Sequence, residues 1–148
     1  MTISYDMIIG NFLSKVTEYD LLDLGEFDRN YITEKYMKRA ISGFSRVCKY
    51  NISSYDDENR VISTEVDESD VDEIVEIVSE GMLVQWMKPY VYRQENLENV
   101  LNTRDFTTYS PAELLLRISN AYTKVQKDYT NMVREYSYNH GDLSDLHI

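Results

Sequence analysis

Apolar residues recur at helical spacing in several stretches of this chain, with polar or β-branched segments between them. Residues 5–16 place Ile8, Ile9, Phe12, Leu13 and Val16 on one side and predict a short amphipathic helix. Residues 18–28, EYDLLDLGEFD, read as a turn-rich connection closed by Gly25. A second helix is predicted from about Asn30 to Cys48. Its stripe is Ile32, Tyr36, Met37, Ala40, Phe44 and Val47, with Asp28 or Asn30 as cap and Gly43 weakening its end.

The helical period stops over residues 49–66. NISSYDDENR is a polar loop, and VISTEV alternates and is rich in β-branched residues, as a strand or hairpin arm would be. Such a strand needs a partner, either inside the loop or on a neighbouring subunit. A third helix begins near Ser69. Its first-turn acids complement the helix dipole, and Val71, Ile74, Val75 and Val78 form its stripe. After Gly81 the run MLVQWM is apolar on nearly all sides, which requires deep burial. Met82 and Trp86, with Phe44 from the second helix, are the expected core. Pro89 lacks an amide proton and is expected to end or kink this helix, with a restart at Pro89 itself.

The strongest start signal is Ser110-Pro111-Ala112-Glu113, an N-cap followed by proline at the first helical position and a glutamate. Gly141 stands where a C-cap belongs. Leu115, Ile118, Tyr122, Val125, Tyr129, Met132 and Tyr136 recur at alternating steps of three and four, a heptad seam for lengthwise packing. Three of the seven are tyrosines, whose polar tips suit a wet subunit interface. The same seam would also serve for packing on the chain's own bundle. The fold class is therefore mainly α: a small helical bundle with a long C-terminal helix and an acidic loop holding a short strand or hairpin. Residues 1–141 read as one domain. Residues 142–148 read as a short tail in which Leu143, Leu146 and Ile148 can dock a partner.

Charge adds something the periodicity does not. The chain has 148 residues and a formal net charge of −11, yet residues 56–80 alone hold eleven acids and one base, Arg60. This belt includes Asp56, Asp57, Glu58, Asp67, Glu68, Asp70, Asp72 and Glu73. Such a belt repels nucleic acid, attracts cations or meets a basic partner. Lys35, Lys38, Arg39, Arg46 and Lys49 cluster on the second helix, either as a solvated face or as a contact for an acidic neighbour such as the belt of another copy. Basic residues are too interspersed for a phosphate-binding stripe.

Candidate chemistry is sparse. A single cysteine, Cys48, excludes an internal disulfide framework and reads as a structural thiol. The two histidines, His140 and His147, have no nucleophile beside them in sequence, and His140 suits the end of a helix. No metal or phosphate-loop motif occurs, and the acidic segments lack the glycine and ligand spacing of a Ca²⁺ loop. No cofactor is expected. The N-terminal run, broken by Gly10 and Asn11, does not read as a signal peptide, and no stretch approaches a membrane span.

Over about residues 5–145 the order of elements resembles the small head–tail connector proteins of tailed bacteriophages, the neck, adaptor or head-completion family. The resemblance is carried by Glu80 to Leu143: a buried helix ending Trp86-Met87-Lys88-Pro89, the loop NTRDFTTYSP, and the long helix closing at His140-Gly141-Asp142. It implies a non-enzymatic structural subunit, made in the host cytoplasm and located in the virion neck. It implies a homo-oligomeric ring, usually dodecameric, under the portal protein. A tail-completion or stopper protein would bind below, and DNA would pass through without sequence-specific binding. The seam and the basic patch would then supply ring contacts, and the belt would face the channel or a partner. The alternative is an acidic DNA mimic or inhibitor that binds a basic enzyme. A small metal-dependent hydrolase is a third class, and it would require a pocket with converging carboxylates.

Overall fold

The computed structural model of the protein describes residues 1–18, 31–92 and 111–140. Among these residues the elements run β1 (Ile3–Ser4), α1 (Tyr5–Glu18), α2 (Tyr31–Phe44), β2 (Tyr55–Asp56), β3 (Val61–Ile62), α3 (Glu68–Tyr92) and α4 (Pro111–His140). The mainly helical class read from the sequence is the one observed. The expected Asp28 or Asn30 cap, the connection beyond Glu18, the loop NTRDFTTYSP, Gly141 and the tail with Leu143, Leu146 and Ile148 lie outside the described residues.

α3 is the hub. α1, α2 and α4 each pack against it, whereas α1 and α2 touch each other far less. The sequence reason is the run Met82–Met87, in which Met82, Leu83, Val84, Trp86 and Met87 are all buried. A helix apolar on every side must be surrounded. Upstream, Val71, Ile74, Val75, Ile77 and Val78 continue the buried surface. Trp86 meets Phe12 of α1 edge to face, with centroids 6.1 Å apart, and Phe44 is fully buried at the end of α2. All three expected core residues are therefore in the core. α4 runs antiparallel to α3: Tyr129 lies against Gly81 while His140 reaches back to Glu73.

Gly81 marks the closest approach of helices. A Cβ at this position would lie 3.0 Å from the Tyr129 ring and 3.1 Å from the Ala40 Cβ. Small residues at a crossing let backbones approach, and here Gly81, Ala40 and Gly43 together seat Tyr129 of α4.

VISTEV does contribute a strand, and it pairs on both sides. β3 is the centre of a three-stranded antiparallel sheet in the order β1-β3-β2, with Ile3 opposite Ile62 and Tyr55 opposite Ile62. Both partners come from the same chain. Two other expectations are corrected. α2 ends at Phe44 rather than Cys48, because the amides of Val47 and Cys48 both donate to the Phe44 carbonyl and close a turn. α3 passes Pro89 and continues to Tyr92. Proline removes its own N–H bond and crowds one turn, and the buried packing of Met82–Met87 holds the helix through that local loss.

A buried ionic network joins α1 to α3. Lys15 Nζ lies 2.8 Å from Glu80 Oε2 and also pairs with Glu76, which accepts from Asn11 Nδ2 at 2.9 Å. Glu80 is only 4% exposed. Burial pushes its carboxyl above the usual range despite Lys15. At Glu76 burial also acts upward, but the hydrogen bonds from Lys15 and Asn11 outweigh it and lower the pKa. Beside this network Ser79 Oγ donates to the carbonyls of Val75 and Ile8, so its buried hydroxyl is satisfied.

Two outcomes follow from this packing. Gly81→Val should destabilise the fold by about 1–3 kcal/mol through overpacking, the gain of replacing glycine within a helix offsetting only part of the clash. Tyr129→Ala should relieve part of that cost, so urea melts of the two single variants and the double variant should be non-additive. Lys15→Met should cost about 3–5 kcal/mol at neutral pH, because it strands a buried carboxylate. A carboxyl whose pKa is raised by folding stabilises the fold in acid and loses that contribution as pH rises. The gap between the variant and the parent should therefore narrow as pH falls toward about 4.3, the unfolded glutamate value. Chemical denaturation at several pH values measures both effects.

Candidate functional site

The acidic belt forms a real surface, and the fold sorts its carboxylates into two groups. The first group is internally engaged. The β2–β3 turn is closed by Asp56, whose Oδ1 accepts from the Asn59 amide at 3.1 Å and whose Oδ2 accepts from Asn59 Nδ2 at 2.8 Å, holding its carboxyl below the usual range. Asp57 Oδ1 accepts from Lys38 Nζ at 2.8 Å and from Tyr5 Oη at 2.7 Å, which likewise lowers its pKa. Asp70 accepts from Tyr50 Oη at 2.6 Å, and that bond pushes the phenol up to about 12. Glu73 Oε1 is 3.1 Å from His140 Nε2.

Arg60, the belt's one base, ties the hairpin down. It adopts a left-handed backbone with φ 56°, an unusual state for a residue with a Cβ. Its Nε donates to Glu34 of α2 and its Nη1 to Asp6 of α1, each at 2.9 Å, while its carbonyl accepts from the Tyr5 amide at 2.9 Å. The hairpin is thereby fixed across the starts of α1 and α2. Sequence reasoning counted Arg60 only as an exception to the charge. Its isolation among eleven acids was the signal that it has a structural task.

The second group is free. Glu58, Asp67, Glu68 and Asp72 are exposed and have no ion-pair partner among the described residues. Asp67, Glu68 and Asp72 lie at the N-terminal end of α3, and Glu58 lies in the β2–β3 turn. On α2 the outer residues Lys35, Arg39 and Arg46 are likewise exposed and outside any ion pair among the described residues. Lys38 is spent on Asp57, and Lys49 lies over the Tyr50 ring at 5.4 Å.

The tyrosine-rich seam is not an outer face. Ile118, Tyr122, Val125 and Tyr136 are buried within the chain, and Tyr129 and Met132 are half-buried against the same core. Nothing is described of the Leu115 side chain. The seam packs lengthwise as its spacing requires, but on α3. The described members of the seam thus take the second role its spacing allows, packing on the chain's own bundle: the hub helix needs a cover, and α4 is that cover. Tyr136 makes the reason plain. Its ring meets Phe44 edge to face at 5.0 Å and stacks on His140 at 4.4 Å, and its hydroxyl accepts from the Lys49 amide at 3.1 Å. Cys48 Sγ lies 3.7 Å from the same hydroxyl, and burial raises the thiol's pKa, which disfavours thiolate chemistry.

Two grooves flank α4. One, of about 310 Å³, is lined by Arg39, Gly43, Gly81, Gln85, Tyr129 and Thr130 and contains no acid, histidine or cysteine among its described lining. The other, of about 140 Å³, gathers Glu73, Glu76 and Glu135 beside the hydroxyl of Tyr136, which is already bonded. Among the described residues no group of three or more His, Cys, Asp or Glu side chains is arranged to hold a metal ion, and no helix is long and apolar enough to cross a membrane.

Comparison with known proteins adds little to this geometry. No family model matches the chain, and no solved structure does. The chain is similar to the Meiotic plaque component protein 54 of Saccharomyces cerevisiae, at 24% identity over 113 residues. That match covers 76% of this chain and 24% of the yeast protein, so the chain corresponds to about a quarter of that relative's length.

Proposed function

We propose that this protein is a structural subunit of a tailed-phage neck, joining the portal protein to tail or closure proteins as a ring around the DNA path. The observation that carries the reading is the division of its charge. The helical body leaves four carboxylates, Glu58, Asp67, Glu68 and Asp72, exposed and without an ion-pair partner among the described residues. Carboxylates facing a channel repel phosphates and keep DNA from adhering, the opposite of a DNA-binding footprint. The resemblance over residues 5–145 supports the same reading. An acidic DNA mimic receives less support, because Asp56, Asp57, Asp70 and Glu73 are tied to neighbours within the chain rather than displayed.

A ring also needs side-to-side contacts that close on themselves. In this reading the exposed faces of α2 and the start of α3 supply those contacts, since the buried members of the seam are used internally. Mixing the purified protein with its portal and weighing the product by native mass spectrometry should give a ring on the portal. A chain that stays monomeric and never joins the portal overturns the reading. Replacing Glu58, Asp67, Glu68 and Asp72 by their amides should leave the melting temperature within a few degrees of the parent, since these groups are exposed, and should raise retention on DNA at low salt. Unchanged retention would mean that these carboxylates do not face the DNA path.

A further inference from the structure

The exposed charges on α2 form a line. Lys35, Arg39 and Arg46 are separated by four and seven residues, the spacing of one helical face, and Arg46 stands in the turn just past the helix. The inward face of α2, with Met37, Ala40, Ile41 and Phe44, is buried. The cationic line therefore looks away from the core, and none of its three residues has an ion-pair partner among the described residues.

The unpaired acids lie at the start of α3, where the Asp67 amide donates to Tyr50 Oη at 3.4 Å. Asp72 and Gly81 are nine residues apart on α3, about two and a half turns, and so point in opposite directions. Gly81 is the side on which α2 packs, because its Cβ position faces Ala40. Asp72 therefore faces away from α2, and Glu68, one turn earlier, shares its face. Within one copy none of Lys35, Arg39 and Arg46 pairs with Asp67, Glu68 or Asp72, which leaves both sets open to a second copy.

We infer that the outer face of α2 in one copy docks on the acidic start of α3 in the next, a head-to-tail contact between identical chains. Contact between two different patches of identical chains is heterologous, and it propagates from copy to copy and closes into a ring when the rotation permits. Charge complementarity selects the occupant: the patch on α2 wants carboxylates, and the chain itself carries a matching unpaired set. This inference rests on the ring reading above and specifies where its copies touch.

A charge swap tests it. Lys35→Glu/Arg39→Glu/Arg46→Glu reverses one patch, and Asp67→Lys/Glu68→Lys/Asp72→Lys reverses the other. All six positions are exposed, and circular dichroism melts check that each variant folds. Sedimentation at low salt should show the parent assembling and each variant alone as a monomer, with assembly lost by at least tenfold in midpoint concentration. The equimolar mixture should assemble again, because every contact in an alternating array is once more between opposite charges. Assembly of the parent should also weaken as salt rises. If the parent assembles and both single-patch variants do so equally well, this contact is overturned while the ring reading stands. If the parent stays monomeric at every salt and with the portal present, both fall. If either variant fails to fold, the milder Arg39→Gln and Asp72→Asn changes carry the test, and unchanged midpoints for both overturn the contact.

Discussion

The whole arrangement depends on burying α3 from every direction. A helix such as Met82–Met87, with no polar face, cannot lie on a surface, and it gains stability only when each side finds an apolar partner. α1, α2 and α4 are the partners, and each has a single stripe because each has only one side to offer. Charge follows from this requirement. The core claims the inner faces, so ionic residues collect on the outer faces of α2, on the hairpin and at the solvent-facing start of α3. The exception is the contact of Lys15 with Glu76 and Glu80, in which α1 carries a cation into the core against two acids of α3.

Much of this was legible in the pattern of residues. Both Met82–Met87 and the start at Pro111 were plain because each is a strong local rule, all-round apolarity in one case and proline at the first helical position in the other. Periodicity names the face of a helix but not what covers it. The seam from Ile118 to Tyr136 was read as a lengthwise contact, and the contact proved to be with α3 of the same chain. Tyrosine content suggested wetness, yet Tyr136 satisfies its hydroxyl on the Lys49 amide and sits dry.

Other features left no local trace. β1 is two residues long, too short for an alternating pattern, and it exists because β3 offers an open edge beside Ile3 and Ser4. The Lys15–Glu80 pair joins positions far apart in sequence whose types are ordinary on helix surfaces. The left-handed state of Arg60 was equally silent, since a residue with a Cβ gives no warning of a positive φ. Charge counting, by contrast, found the belt at once and could not divide it. Coordinates were needed to separate carboxylates that hold the hairpin from those left facing solvent.

The central place of α3 also governs the order in which the protein can be born. The part of the chain before α3 supplies α1, α2 and all three strands, but α1 and α2 meet α3 far more than they meet each other. A ribosome adding roughly 5–20 residues each second needs about 4–16 seconds to pass from Tyr5 to Met87. During that interval the emerging half has little to close upon, and its greasy stripes stand open to chaperones or to other nascent chains.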